Sequence, residues 1–174
     1  MSGPIETTMI FRNAALPLFL LAALPAQAEV IETDLIKVFE GKWVQSKDPS
    51  QNGILMYLTE QRSAVGEYFS IRCDGSDRSV RIAFPRRRPT DAIGMTLDGT
   101  QYRVPAKFVG KTPDPQFVKG NLFGYALNFP DAETQARFLD RVGSGTMLTV
   151  EGQTLPIDLA GAGDAVAEQA DYCE

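Results

Sequence analysis

Apolar and polar residues alternate with a period of two through most of this chain, and helical spacing replaces that pattern in three places. The first is residues 31–39. Ile31, Leu35, Val38 and Phe39 stand three and four apart there, Thr33 or Asp34 can cap and Gly41 can stop, so a short amphipathic helix is predicted. From 42 onward the period is two. Residues 42–47 around Trp43 read as a strand, 48–53 as a turn, and 54–59, apolar on both faces, as a central strand. Residues 68–73 set Phe69, Ile71 and Cys73 against Tyr68, Ser70 and Arg72. The turn Asp74-Gly75-Ser76-Asp77 then leads into Val80, Ile82 and Phe84. This is the clearest hairpin in the chain, and it puts Cys73 on the inward face at a strand end.

A second hairpin runs through Met95-Thr96-Leu97, the Asp98-Gly99 turn and residues 102–109, followed by a proline-rich loop over 112–116 and a strand over 122–129. Residues 131–142, after Pro130, carry Phe138, Leu139 and Val142 on one helical face, with Gly143 as the stop. Late strands are expected at 147–150 and 155–159. A last helix over 164–173 places Val166, Ala170 and Cys173 on one side. Strands outnumber helices and turn signals recur. The expected fold is mainly β (β-rich α+β), an antiparallel β-sandwich or strongly curved sheet with short helices at its edges.

The N-terminal region has a different pattern. Arg12, an apolar run over 14–24, Pro25 and Ala26-Gln27-Ala28 make a cleavable export signal, with Met9 as an alternative initiator. The run is about half the roughly 20 residues a spanning helix needs. No cysteine stands near the cleavage site to carry a lipid. The expectation is a single domain over 29–174, released into the periplasm or beyond the cell.

Export changes the meaning of the two cysteines, Cys73 and Cys173. In an oxidising compartment an even count argues for a disulfide, and two cysteines allow one intramolecular pairing. Both fall on inward faces in the pattern above, which supports the same bridge, tying the C-terminal helix to the middle of the domain. No Cys-x-x-Cys pair is present for redox work.

The net charge of −5 disfavours nucleic acid as a partner. Residues 62–111 hold ten basic and five acidic side chains, and 112–174 hold three basic and ten acidic ones. Either the two halves present opposed fields or their strands interleave and the fields cancel. The absence of histidine removes histidine triads, dyads and zinc sites. There is no Ser-x-x-Lys, no Walker loop and no GxGxxG after a strand. Carboxylate chemistry remains, as in a glycan hydrolase, but Asp131, Glu133, Asp140, Asp164, Glu168 and Asp171 sit where solvated helices carry acids.

The run Pro85-Arg86-Arg87-Arg88-Pro89 is the sharpest local feature of this acidic chain. Three guanidinium groups are costly to bury together and the prolines hold the backbone extended, so Arg86, Arg87 and Arg88 are expected in solvent. They are candidates for an anionic lipid, glycan or protein surface, or for a solubilising loop at a sheet edge. Trp43, the lone tryptophan, reads as a core or sheet-face residue.

Taken in order, the Trp43 strand with Ser46 and Asp48 behind it, Cys73 followed by Asp74-Gly75, and Leu155-Pro156-Ile157-Asp158-Leu159-Ala160-Gly161 before an alanine-rich helix ending at Cys173 resemble a class of small exported proteobacterial proteins. The class contains the periplasmic accessory proteins of type VI secretion (the VasI/TagO-like group) and, more distantly, the invasion-associated locus B proteins. The resemblance implies a disulfide-stabilised, β-rich periplasmic domain without established catalysis. Lys47-Asp48 departs from it where that group carries two acidic residues. The expected function is a non-enzymatic binding or accessory module acting on an envelope protein or glycan, with no cofactor and no metal. The alternative is an inhibitor or regulator of a lytic envelope enzyme.

Overall fold

The alternating segments build one antiparallel sheet of eleven strands, as seen in a computed structural model that describes residues 30–40, 42–57, 69–113 and 121–174. The expected export segment, the expected stop Gly41, residues 58 and 59 of the strand expected over 54–59, Tyr68, and 114–116 of the proline-rich loop lie outside the described residues. In chain order the elements are β1 (Val30–Glu32), β2 (Ile36–Phe39), β3 (Trp43–Ser46), β4 (Leu55–Tyr57), β5 (Phe69–Asp74), β6 (Asp77–Phe84), β7 (Ala92–Leu97), β8 (Thr100–Pro113), β9 (Asn121–Leu127), α1 (Ala132–Ser144), β10 (Met147–Val150), β11 (Ile157–Asp158) and α2 (Ala162–Cys173). Their order across the sheet is β1-β2-β3-β4-β5-β6-β9-β8-β7-β10-β11.

β8 makes the corner of this sheet. Thr100 to Pro105 pair with β7, whereas Ala106 to Pro113 pair with β9. A long strand that changes partner midway folds one part of a sheet over the other, as in strand-switching sandwiches. Pro105 sits at the change and has no N–H for the ladder. The fold-over brings the last strand to the fourth: the Asp158 N–H donates to the Tyr57 hydroxyl at 3.1 Å, and Lys42 pairs with Asp158. One continuous core results. Trp43, fully buried, packs against Tyr57 and Phe69 with ring centroids 5.4 and 5.8 Å apart. Ile82, Met95, Leu97, Leu148 and Leu159 join it from both parts of the sheet.

The helices follow from local signals. Asp131 caps α1 by accepting the Thr134 N–H at 2.6 Å, and Phe138, Leu139 and Val142 turn into the core. Gly143 does not stop this helix, which runs on to Ser144. It is instead the crossing point with α2, because a Cβ on Gly163 would lie 2.9 Å from the Gly143 carbonyl oxygen. α2 begins at Ala162, two residues before the expected start, and carries Val166 and Cys173 inward. The Cys73–Cys173 disulfide is formed, with Cα atoms 5.3 Å apart.

The helix expected over 31–39 is a β-hairpin. β1 and β2 pair with Val30 opposite Phe39 and Glu32 opposite Lys37. At the turn the Thr33 hydroxyl oxygen accepts the N–H groups of Leu35 and Ile36, a local bond that competes with helix formation. Ile31, Ile36 and Val38 are β-branched and favour the pleat. The apolar stripe that suggested a helix is not buried: Leu35 is 71% exposed and Ile31 52%, and Phe39 alone reaches the core. Two further expectations shift at their edges. β8 continues to Pro113, into the start of the expected loop, and the strand expected over 155–159 is only β11.

A cationic aromatic ledge across two strands

The sheet order explains where the arginine run lies. β6 and β7 follow each other in the chain but are separated in the sheet by β9 and β8, so residues 85–91 must pass over those two strands, from Phe84, paired with Phe123, to Ala92, paired with Pro105. β9 and β8 meet the crossing segment with aromatic rings. Phe84, Tyr125, Phe108 and Phe123 lie edge to edge along it. Centroid separations are 5.7 Å for Phe84–Tyr125, 5.5 Å for Phe108–Tyr125 and 6.4 Å for Phe108–Phe123.

Tyr125 fixes the loop. Its ring is buried, and its hydroxyl accepts the Arg88 N–H at 2.8 Å while donating to the Arg88 carbonyl at 2.7 Å. Both backbone groups of one loop residue are thereby satisfied by one side chain from the core. The Arg88 side chain is half-buried, contrary to the expectation of three solvent-facing arginines. It lies 5.1 Å from the Phe84 ring centroid, pairs with Glu151 at 3.7 Å, and rests on Gly152, where a Cβ would collide with the guanidinium. Arg88 is therefore an anchor. Its burial is tolerable because a carboxylate and an aromatic face replace part of its hydration.

Arg86 and Arg87 are exposed, as expected. The Arg87 guanidinium stands 4.8 Å from the Phe108 ring centroid. A third cation joins them from β8. The register of β8 against β9 slips between Phe108 and Gly110, with Gly110 at φ +138°, so Val109 bulges out. Without the bulge Lys111, three residues beyond Phe108, would face the other side of the sheet. With it, Lys111 sits opposite Phe123 and its Nζ lies 5.3 Å from that ring centroid. Among the described residues no carboxylate comes within ion-pair distance of Arg86, Arg87 or Lys111. Three acids of the C-terminal half are engaged elsewhere: Asp158 with Lys42, Glu168 with Lys37 and Glu133 with Arg137.

Sequence reasoning singled out Arg86, Arg87 and Arg88 but missed Lys111, the rings and Glu151. The glycine inside the apolar run Phe108-Val109-Gly110 was the available sign of a bulge. The partners on β9 and just after β10 are long-range and leave no local trace.

A polar recess of about 580 Å³ is lined by Asp74, Asp77 and Asp131. The Thr134 backbone N–H holds the Asp131 carboxyl below the usual carboxylate range. A glycosidase acid needs a shift in the opposite direction. The carboxyls of Glu32, Asp48, Asp98 and Asp158 are also lowered, first by hydrogen bonds from Lys47, Ser50, Thr146 and Lys42 respectively. Among the described residues no three Asp, Glu or Cys side chains are grouped to hold a metal ion, and no helix is long and apolar enough to cross a membrane. No protein-family model matches this chain, and no curated protein or solved structure matches it.

Proposed function

We propose that this chain is an exported, non-catalytic binding module of the bacterial periplasm that holds an anionic envelope partner, an acidic protein face or an anionic glycan or lipid surface, through Arg86, Arg87 and Lys111. The observation that carries the reading is the set of three cations without carboxylate partners among the described residues, two of them seated on Phe108 and Phe123, in a protein of net charge −5. A solubilising loop does not need a buried tyrosine to pin it, or a bulge to bring a lysine from another strand alongside. Rings under cations cut the freedom that long side chains lose on binding, which improves affinity without adding contacts. The export signal, the disulfide and the resemblance to periplasmic accessory proteins support the compartment. The absence of histidine and the bonding of both cysteines support a role without catalysis.

The test replaces Arg86, Arg87 and Lys111 by serine and leaves the anchor Arg88 in place. The wild-type protein should retain envelope components from an extract, and sediment with phosphatidylglycerol vesicles, in a salt-sensitive way. At about 1 kcal/mol per cation near an anionic surface, the triple variant should bind roughly a hundredfold more weakly. Equal retention by wild type and variant would sink the proposal. If the wild-type protein inhibits a purified lysozyme and the variant does not, the partner is a lytic enzyme.

A further inference from the structure

A second concave site, separate in its residues from the ledge, lies where α1 passes the first half of β8. Thr134, Arg137, Phe138 and Arg141 fall at i, i+3, i+4 and i+7, so they share one side of the helix. Between that side and β8 is a cleft of about 330 Å³, at the small end of the range for small-molecule sites. Its apolar wall is aromatic: Phe138 stands 5.4 Å from Tyr102 and 5.2 Å from Phe129 between ring centroids. Its rim is Arg103, Arg137 and Arg141, and no acidic side chain among the described residues lines it.

The three guanidinium groups are not equally committed. Arg137 is held in place by Glu133 and by Thr134, whose hydroxyl accepts from its Nη2 at 3.0 Å. Arg141 feels Asp98 at a distance, and Arg103 has no ion pair among the described residues. The Tyr102 hydroxyl makes no hydrogen bond among the described residues and is available as a donor at the mouth. An apolar pocket lined by guanidinium side chains matches a planar anion on an apolar body, since guanidinium binds carboxylate through two parallel hydrogen bonds.

We infer that this cleft binds a small amphipathic carboxylate, its apolar body against Tyr102, Phe129 and Phe138 and its carboxylate on Arg103 and Arg141. The inference does not depend on the ledge. The probe is 4-phenylbutanoate, titrated into the disulfide-bonded protein and followed by amide chemical shifts, beside 4-phenylbutan-1-ol, which lacks the charge, and butanoate, which lacks the ring. Saturable shifts should centre on Tyr102, Phe129 and Phe138 with the carboxylate. The alcohol and butanoate should each bind at least about tenfold more weakly, as should 4-phenylbutanoate to an Arg103→Gln, Arg141→Gln double variant. The triple variant at Arg86, Arg87 and Lys111 should bind the probe as the wild type does. The inference is overturned if shifts do not saturate or centre elsewhere, if the alcohol binds as well as the acid, or if the double variant, checked for native near-ultraviolet dichroism, keeps the wild-type affinity.

Discussion

Tyr125 links the core to the surface with a single side chain. Its ring belongs to the hydrophobic core and its hydroxyl serves both backbone groups of Arg88. Tyr125→Phe leaves the packing nearly unchanged and removes both bonds. Buried polar groups that lose a partner cost roughly 1 to 3 kcal/mol, so the variant should unfold at lower urea by about that amount, with faster amide exchange at Arg88. Unchanged exchange at Arg88 would show that the prolines alone hold the loop. The run of three arginines was legible in the sequence, but its division of labour was not. Which guanidinium becomes an anchor depends on Glu151 and Gly152, more than sixty residues away, and no local pattern encodes that distance.

Elements were legible wherever turn chemistry and alternation agreed. The Asp98-Gly99 turn has both residues at positive φ, +45° and +82°, the geometry of a two-residue hairpin turn, and the expected strands flank it. Agreement failed at 31–39. Four apolar residues at helical spacing outweighed β-branching and the Thr33 side-chain bond in the reading, although the chain obeys the latter two. Asp98 also does more than turn the chain. Its carboxylate accepts the N–H groups of Thr146 and Met147, each at 3.0 Å, and the Thr146 hydroxyl, so it stitches the β7–β8 turn to the start of β10. These bonds, the Thr146 hydroxyl first, hold its folded pKa below the usual 3.8. The stabilisation is therefore full above about pH 4 and is lost as pH falls through the lowered folded value. A melting series from pH 7 to pH 2 should show that acid loss in the wild type. It should show less of it in Asp98→Asn, which tolerates the positive φ but carries no charge. Identical acid slopes would remove Asp98 from the account.

For the whole molecule, the disulfide decides how α2 is held. The helix lies on β2 to β6, crosses α1 at Gly163 and pairs Glu168 with Lys37, and the bridge from Cys173 to Cys73 closes a sequence separation of 100 residues. Loop-closure entropy of that length stabilises by about 4 to 5 kcal/mol. A Cys73→Ser, Cys173→Ser double variant should lose an amount of that order in guanidinium unfolding. A loss under about 1 kcal/mol would mean that helix packing alone keeps the C-terminus in place. Gly53 shows how tightly the bridge is enclosed: a Cβ there would meet the Tyr172 ring and lie 2.9 Å from the Cys73 sulfur.

The sequence by itself determined the class of the fold, the hairpins around Gly75 and Gly99, the helices over most of 132–144 and 162–173, the pairing of the cysteines, and the exclusion of histidine chemistry. Each of these rests on neighbours within a few residues or on a count. Tertiary structure alone decided the rest. The insertion of β9 and β8 between β6 and β7 sends the arginine loop across those two strands, and the bulge at Val109 turns Lys111 toward it. The bend of β8 brings Asp158 to Tyr57, and α1 meets the start of β8 to enclose the arginine-rimmed cleft. These features depend on which strands become neighbours. That choice is made by burial of one shared core, to which every element contributes and which no segment specifies by itself.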